Sequence, residues 1–150
     1  MNNGSINEQL FAFVRPSRTS LAKQYIRQHG LAKIEDLSTE TLSHLKTAIA
    51  SNLSNKVGFL KATSGLGIDK QRLDLIFDNE VHEALEIGGL KYARTEGAAT
   101  KTWEASGADN CCPDCEEMDG ESVPLDSDFS NGCSVAHLHP GCNCETSYQK

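Results

Sequence analysis

The sequence predicts an α+β chain, with a helical N-terminal half and a small β-containing C-terminal domain. Three observations carry that expectation. Apolar residues recur at helical spacing through the first two thirds, the period drops to two near Ala99, and all six cysteines crowd between Cys111 and Cys144. Two units are expected: a helical region over residues 1–66 and a cysteine-bearing domain over 67–150.

Taken in order, the polar lead runs into Leu10-Phe11-Ala12-Phe13-Val14, an apolar patch too short to pack alone, and Pro16 ends it. Ser17 can cap a helix whose inward positions are Leu21, Ala22, Tyr25 and Ile26, with Gly30 as its stop. Ser38 caps a second helix, and Glu40 sits in its first turn, where the helix dipole favours an acid. Leu42, Leu45, Ile49, Leu53, Val57 and Leu60 then form one stripe at steps of three and four. This predicts a single long helix packed against a partner helix, expected in the same chain. Ser64-Gly65-Leu66-Gly67 breaks the pattern. Asp69 can cap a third helix carrying Leu73, Ile76, Phe77, Val81, Leu85 and either Leu90 or Tyr92, reaching about residue 95. Gly88-Gly89 weakens it by roughly 1 kcal/mol per glycine, which is enough to allow a kink or an end there.

After Gly97, Ala99, Lys101, Trp103 and Ala105 alternate with polar residues, which reads as a short strand. Trp103 is expected to pack on the preceding helix. Beyond Gly107 the chain is turn-rich, with Met118-Asp119-Gly120-Glu121 leading into Ser122-Val123-Pro124-Leu125. This half has few large apolar side chains, so something besides burial must order it.

Charge is unevenly spread within the net −7: residues 1–66 balance at +4, with eight Lys/Arg against four acids, and 67–150 at −11, with six against seventeen. No Lys or Arg lies between Lys101 and Lys150. Such a surface repels a phosphate backbone, so any DNA contact falls to the first half. The blander reading is that both are solvated faces. No run of about 18 apolar residues exists to span a membrane. The start, Met1-Asn2-Asn3-Gly4-Ser5, lacks the basic and apolar regions of a signal peptide. Folding in a reducing cytosol is expected, where clustered cysteines bind metal more often than they pair.

Cys112-Pro113-Asp114-Cys115 has the two-residue spacing that lets both sulfurs reach one ion, and His139-Pro140-Gly141-Cys142 offers a second pair. Two such pairs suit a structural, tetrahedral zinc site. Zinc would supply folding energy that this acidic, core-poor segment lacks. The expected ligands are Cys112, Cys115, His139 and Cys142, with Cys144 able to replace either of the last two. Cys111, Cys133 and His137 read as bystanders or supporting groups. Buried thiols, or disulfides formed in an oxidising medium, are the competing readings.

Catalytic patterns fit poorly. The zinc deaminase signature needs His-x-Glu and Pro-Cys-x-x-Cys, but Pro113 lies inside the pair and no His-x-Glu occurs. His82-Glu83-Ala84-Leu85-Glu86 has glutamate where His-Glu-x-x-His needs its second histidine, and the His82–Glu86 face reads as a surface. Cys133 and His137 are near in sequence but have no evident orienting group or oxyanion donor. No catalytic or cofactor-binding residues are assigned, and no enzyme is expected.

Trp103, Cys112-x-x-Cys115, Asp119-Gly120, Phe129 and His139-Pro140-x-Cys142-x-Cys144, in that order, resemble the C-terminal half of the phage Mu F-like minor head proteins. The resemblance is clearest over residues 76–145 and extends toward Leu37. The Arg-Thr-Glu usual in that family is replaced in register by Asp78-Asn79-Glu80, and the arginine of its last motif by Asn143. Arg94-Thr95-Glu96 sits too close to Trp103 to be that motif. The resemblance implies a structural virion protein, made in the host cytoplasm and present in several copies. It would be bound to the portal or other head and neck proteins and act in head assembly or genome packaging and delivery. The alternative is a small zinc-binding adaptor that contacts protein or nucleic acid, which the −11 balance disfavours.

Overall fold

The computed structural model describes residues 17–105, 112–139 and 141–150. The readings that involve the apolar patch at 10–14, Pro16, the turn at Gly107, Cys111 and Pro140 lie outside these residues.

Helix α1 (Arg18–His29) begins as expected. Ser17 accepts from the Ser20 amide, and the Ser17 amide donates to the Ser20 hydroxyl in return, a capping box that satisfies two orphan donors. Leu21, Ala22 and Ile26 are buried. Gly30 ends the helix, but the left-handed residue is the next one, Leu31, at φ 62°. For a leucine this costs about 1–2 kcal/mol. Its side chain is buried, and its amide donates to Glu80 Oε2 at 3.0 Å.

The expected long second helix is instead two. Helix α2 (Thr39–Ser51) starts at Ser38, and α3 (Lys56–Thr63) starts afresh at Asn55. Asn52 Nδ2 donates to the Ala48 carbonyl at 2.8 Å, and Asn55 Oδ1 accepts from the Gly58 amide at 3.0 Å. Two asparagines thus offer the backbone better partners than another helical turn would. Leu53 stays buried, but Val57 leaves the stripe and is 65% exposed.

Helix α4 (Lys70–Thr95) is the spine, 26 residues capped by Asp69, whose carboxylate accepts from the Gln71 and Arg72 amides. It spans about 39 Å. It runs unbroken through Gly88-Gly89, where α1 crosses closely. A Cβ on Gly88 would lie 2.7 Å from the Arg18 carbonyl oxygen and 2.9 Å from the Ala22 nitrogen. These glycines are an approach surface, and packing outweighs their low helix propensity.

Strand β1 (Thr100–Glu104) is central in an antiparallel sheet of order β2-β1-β3, between β2 (Ser122–Pro124) and β3 (Glu145–Gln149). Lys101 and Trp103 point inward, as the two-residue period predicts. Gly120, at φ 83°, makes the expected turn into β2, and its amide donates to the Trp103 carbonyl.

The α1–α4 core centres on Ile26, Leu45, Ile49, Phe59 and Phe77, all at most 5% exposed. Leu90 and Ala93 at the far end of α4 pack on Leu125 and Val135, whereas Tyr92 is partly exposed. Trp103 is fully buried, but not on the preceding helix. It packs with Phe129, Met118, Ala136, Cys115, Cys142 and Cys144. The inward face of β1 meets the cysteine loops, so the tryptophan fills the core of the small domain. No helix among the described residues is long and apolar enough to cross a membrane.

Candidate metal centre

Cys112 is the N-cap of the short helix α5 (Pro113–Met118), and its sulfur accepts from the Cys115 amide at 3.4 Å. Pro113 at the first helical position suits a place where no amide partner is needed. The cap turns both sulfurs of the pair to one side. The second pair comes from a tight turn in which the Cys142 amide donates to the His139 carbonyl, with Gly141 at φ 83°.

These two knuckles meet. His139 Nε2 lies 3.1 Å from Cys112 Sγ and 3.5 Å from Cys115 Sγ, and Cys115 Sγ lies 3.8 Å from Cys142 Sγ. Metal–sulfur bonds of about 2.3 Å and metal–nitrogen bonds of about 2.0 Å at the tetrahedral angle place donors ~3.8 Å (S···S) and ~3.5 Å (S···N) apart. Two of the three observed separations have those lengths, and the third is shorter. Cys115 also groups with Cys142 and Cys144, with ligand atoms within 4.8 Å of one another. The five predicted ligands thus fall into two groups that share Cys115. The cluster could hold a metal ion.

Electrostatics favour a mixed donor set. Cys112 is drawn below the ordinary thiol range, first by its hydrogen bond with the Cys115 side chain, then by the Cys115 backbone and His139. Burial pushes the Cys115 thiol up. Burial also opposes ionising Cys142, but backbone hydrogen bonds with Leu138 and Cys144 outweigh it and leave that thiol lowered. A divalent cation would supply the counter-charge that lets such thiols stand together as thiolates.

The surroundings hold what the sequence did not disclose. His82 and Glu86, read as a surface face, are respectively half-buried and 3% exposed. Both hold the backbone that leaves the cysteine loop. His82 Nε2 donates to the Cys144 carbonyl at 2.7 Å, and Glu86 Oε2 accepts from the Thr146 amide at 3.1 Å. A carbonyl only accepts, so a neutral His82 carries its proton on Nε2 and accepts at Nδ1. His137, whose Nδ1 lies 2.7 Å away, is then the donor. Burial lowers both histidines, His137 to about 4, which keeps the pair neutral. Of the two roles expected for His137, bystander or supporting group, the structure favours the second, through its hydrogen bond to His82. Spacing alone could not reveal this, because His82 and Cys144 are 62 residues apart.

Lys101, 1% exposed, donates to the Ser134 carbonyl at 2.6 Å and lies 5.2 Å from the centroid of Phe129. Phe129 meets Trp103 edge to face at 5.2 Å and 83°. The lysine ties β1 to the loop before His137. Its inward register was legible; its partner was not. Arg94, set aside as part of a coincidental motif, pairs with Asp126 at 2.8 Å and joins α4 to the loop after β2.

In comparisons with known proteins, the family model described as "Phage Mu protein F like protein" matches residues 17–147, a span that includes both the helical half and the cysteine cluster. No curated protein and no solved structure matches the chain.

Proposed function

We infer, for a chain that belongs to the phage Mu protein F-like family, a structural role in a tailed-phage head rather than an enzymatic one. The match over residues 17–147 carries this reading, because it covers the helical core and the metal cluster together. The role is that of a minor head or neck protein bound to the portal, in several copies per virion, acting in head assembly or genome packaging and delivery.

The ion is zinc, held by Cys112, Cys115, His139 and Cys142. Its work is to close the small domain. The donor chemistry, thiols and one imidazole in a partly buried cluster, supports zinc over a hard cation, which would require oxygen ligands. Cys144 is the alternate ligand to His139 or Cys142. Around the ion, His82 fixes the Cys144 carbonyl and Lys101 fixes the loop that leads to His137, so the chain orients its ligands through the backbone. The acidic small domain suits a basic partner surface. Lys23 and Arg27 on the outer side of α1 give the helical half a weak DNA contact.

Co-expression with the portal protein of the same phage tests the role. The expected result is a portal oligomer that retains this chain through size-exclusion chromatography at physiological salt. A chain that elutes alone as a monomer, and is missing from purified virions, would overturn the reading. The metal is tested on protein purified under reducing conditions, where about one zinc per chain is expected.

A further inference from the structure

A groove of about 560 Å³ lies between α1 and α4. Its walls are apolar, with Tyr25, Ile34 and Leu75 among them, and Leu75 is left 67% exposed at its mouth. Its polar lining combines the acceptors of Asn79, Glu80 and Glu83 with the side chains of Tyr25, His29 and Lys33. Glu80, 8% exposed, uses Oε2 for the Leu31 amide. Asn79 Oδ1 is buried and has no hydrogen-bond partner. Glu83 Oε1 takes the Tyr25 hydroxyl, which burial and then Glu83 keep protonated, with a pKa raised to about 12.

We propose that this groove receives a basic side chain, an arginine or lysine presented by a partner protein, with its stem along the apolar wall and its head among Asn79, Glu80 and Glu83. Charge and hydrogen-bonding capacity point to that chemistry. A guanidinium or ammonium is donor-only and would satisfy an acceptor that is otherwise buried without one. Burial raises the Glu80 carboxyl, so the site gains from a cation that the chain does not itself supply in full. Lys33, exposed, also lines the groove, and its charge acts on Glu80, as does that of Lys46. Lys33 therefore competes with an incoming cation. The proposal stands apart from the metal centre and from the identity of the head partner.

The test is titration of the full-length, metal-replete protein with N-acetyl-arginine methylamide, followed by amide resonances, with N-acetyl-leucine methylamide as control. Saturable shifts at the Leu31 amide and the Asn79 side-chain amide are expected, about tenfold weaker or more with the leucine derivative, since charged hydrogen bonds are lost. Asn79→Leu and Glu83→Gln, which spare the Glu80–Leu31 bond, should each weaken binding, and Lys33→Gln should tighten it severalfold. Equal binding of both derivatives would make the groove merely apolar. Loss of binding in Lys33→Gln would make it an anion site. No saturable shift in a folded protein would also overturn the proposal.

Discussion

Glu86 offers a sharp test of how α4 joins the small domain. Its carboxyl is 3% exposed, accepts from the Thr146 amide at 3.1 Å, and has Arg18 only at 3.6 Å. Burial, the largest effect, raises its pKa from 4.5 to about 7. In the unfolded chain the group ionises above 4.5, but in the fold it keeps its proton to about 7. The folded state therefore binds more protons in that window, and stability falls as pH rises through it. A raise from 4.5 to about 7 corresponds to about 3 kcal/mol, complete above the folded pKa and absent below the unfolded one. Glu86→Gln keeps an acceptor for Thr146 and removes the ionisation. It loses the Arg18 pair, which is half-exposed on the arginine side and worth about 0–1 kcal/mol. Urea unfolding of wild type and variant, in reducing buffer with excess zinc at pH 5 and pH 8, should show the variant gaining about 2–3 kcal/mol on wild type between the two pH values. Taking the difference cancels the other titrating groups. A variant equally less stable at both pH values would show that the ionised Glu86–Arg18 pair supports the fold, and would sink this account.

Two further predictions bear on other joints. Cys115→Ser removes the sulfur common to both donor groups, so it should abolish metal retention and red-shift the emission of Trp103, which packs against that cysteine. Cys133→Ser should retain the metal, measured by elemental analysis of desalted protein. Gly88→Ala would gain up to about 1 kcal/mol of helix propensity. Its Cβ would nevertheless meet the α1 backbone at 2.7 Å, so a net loss of about 1–3 kcal/mol in unfolding free energy is expected, as for overpacked cores.

Where a structural cause is local, the sequence displayed it. Ser17, Ser38 and Asp69 cap helices through their own side chains, and the run from Ala99 to Ala105 alternates because a half-buried strand must. The two-residue knuckles were legible for the same reason: a turn of four residues sets both donor positions. The failures came where locality ended. The stripe from Leu42 to Leu60 matched a helix at every step, and periodicity does not register that Asn52 and Asn55 can capture the backbone between them. Proximity in sequence points Trp103 to the preceding helix, but its face of the strand turns toward loops that follow it, as far as Cys144. His82 and Glu86 looked like a solvated face because their partners, the backbone of Cys144 and Thr146, lie some sixty residues on.

By itself, then, the sequence determined the α+β class, the starts of α1, α2 and α4, the strand β1 and the candidate ligands Cys112, Cys115, His139, Cys142 and Cys144, which the fold gathers into two groups. Each follows from dihedral preference, side-chain period or donor spacing within a few residues. Only the tertiary structure decided that Cys115 is common to both candidate groups, that α4 anchors the segment after Cys142 through His82 and Glu86, and that Asn79 and Glu80 line a groove with Leu75. These depend on which distant surfaces are brought together and desolvated. Short-range spacing carries no record of that, because burial and pairing are properties of the packed chain.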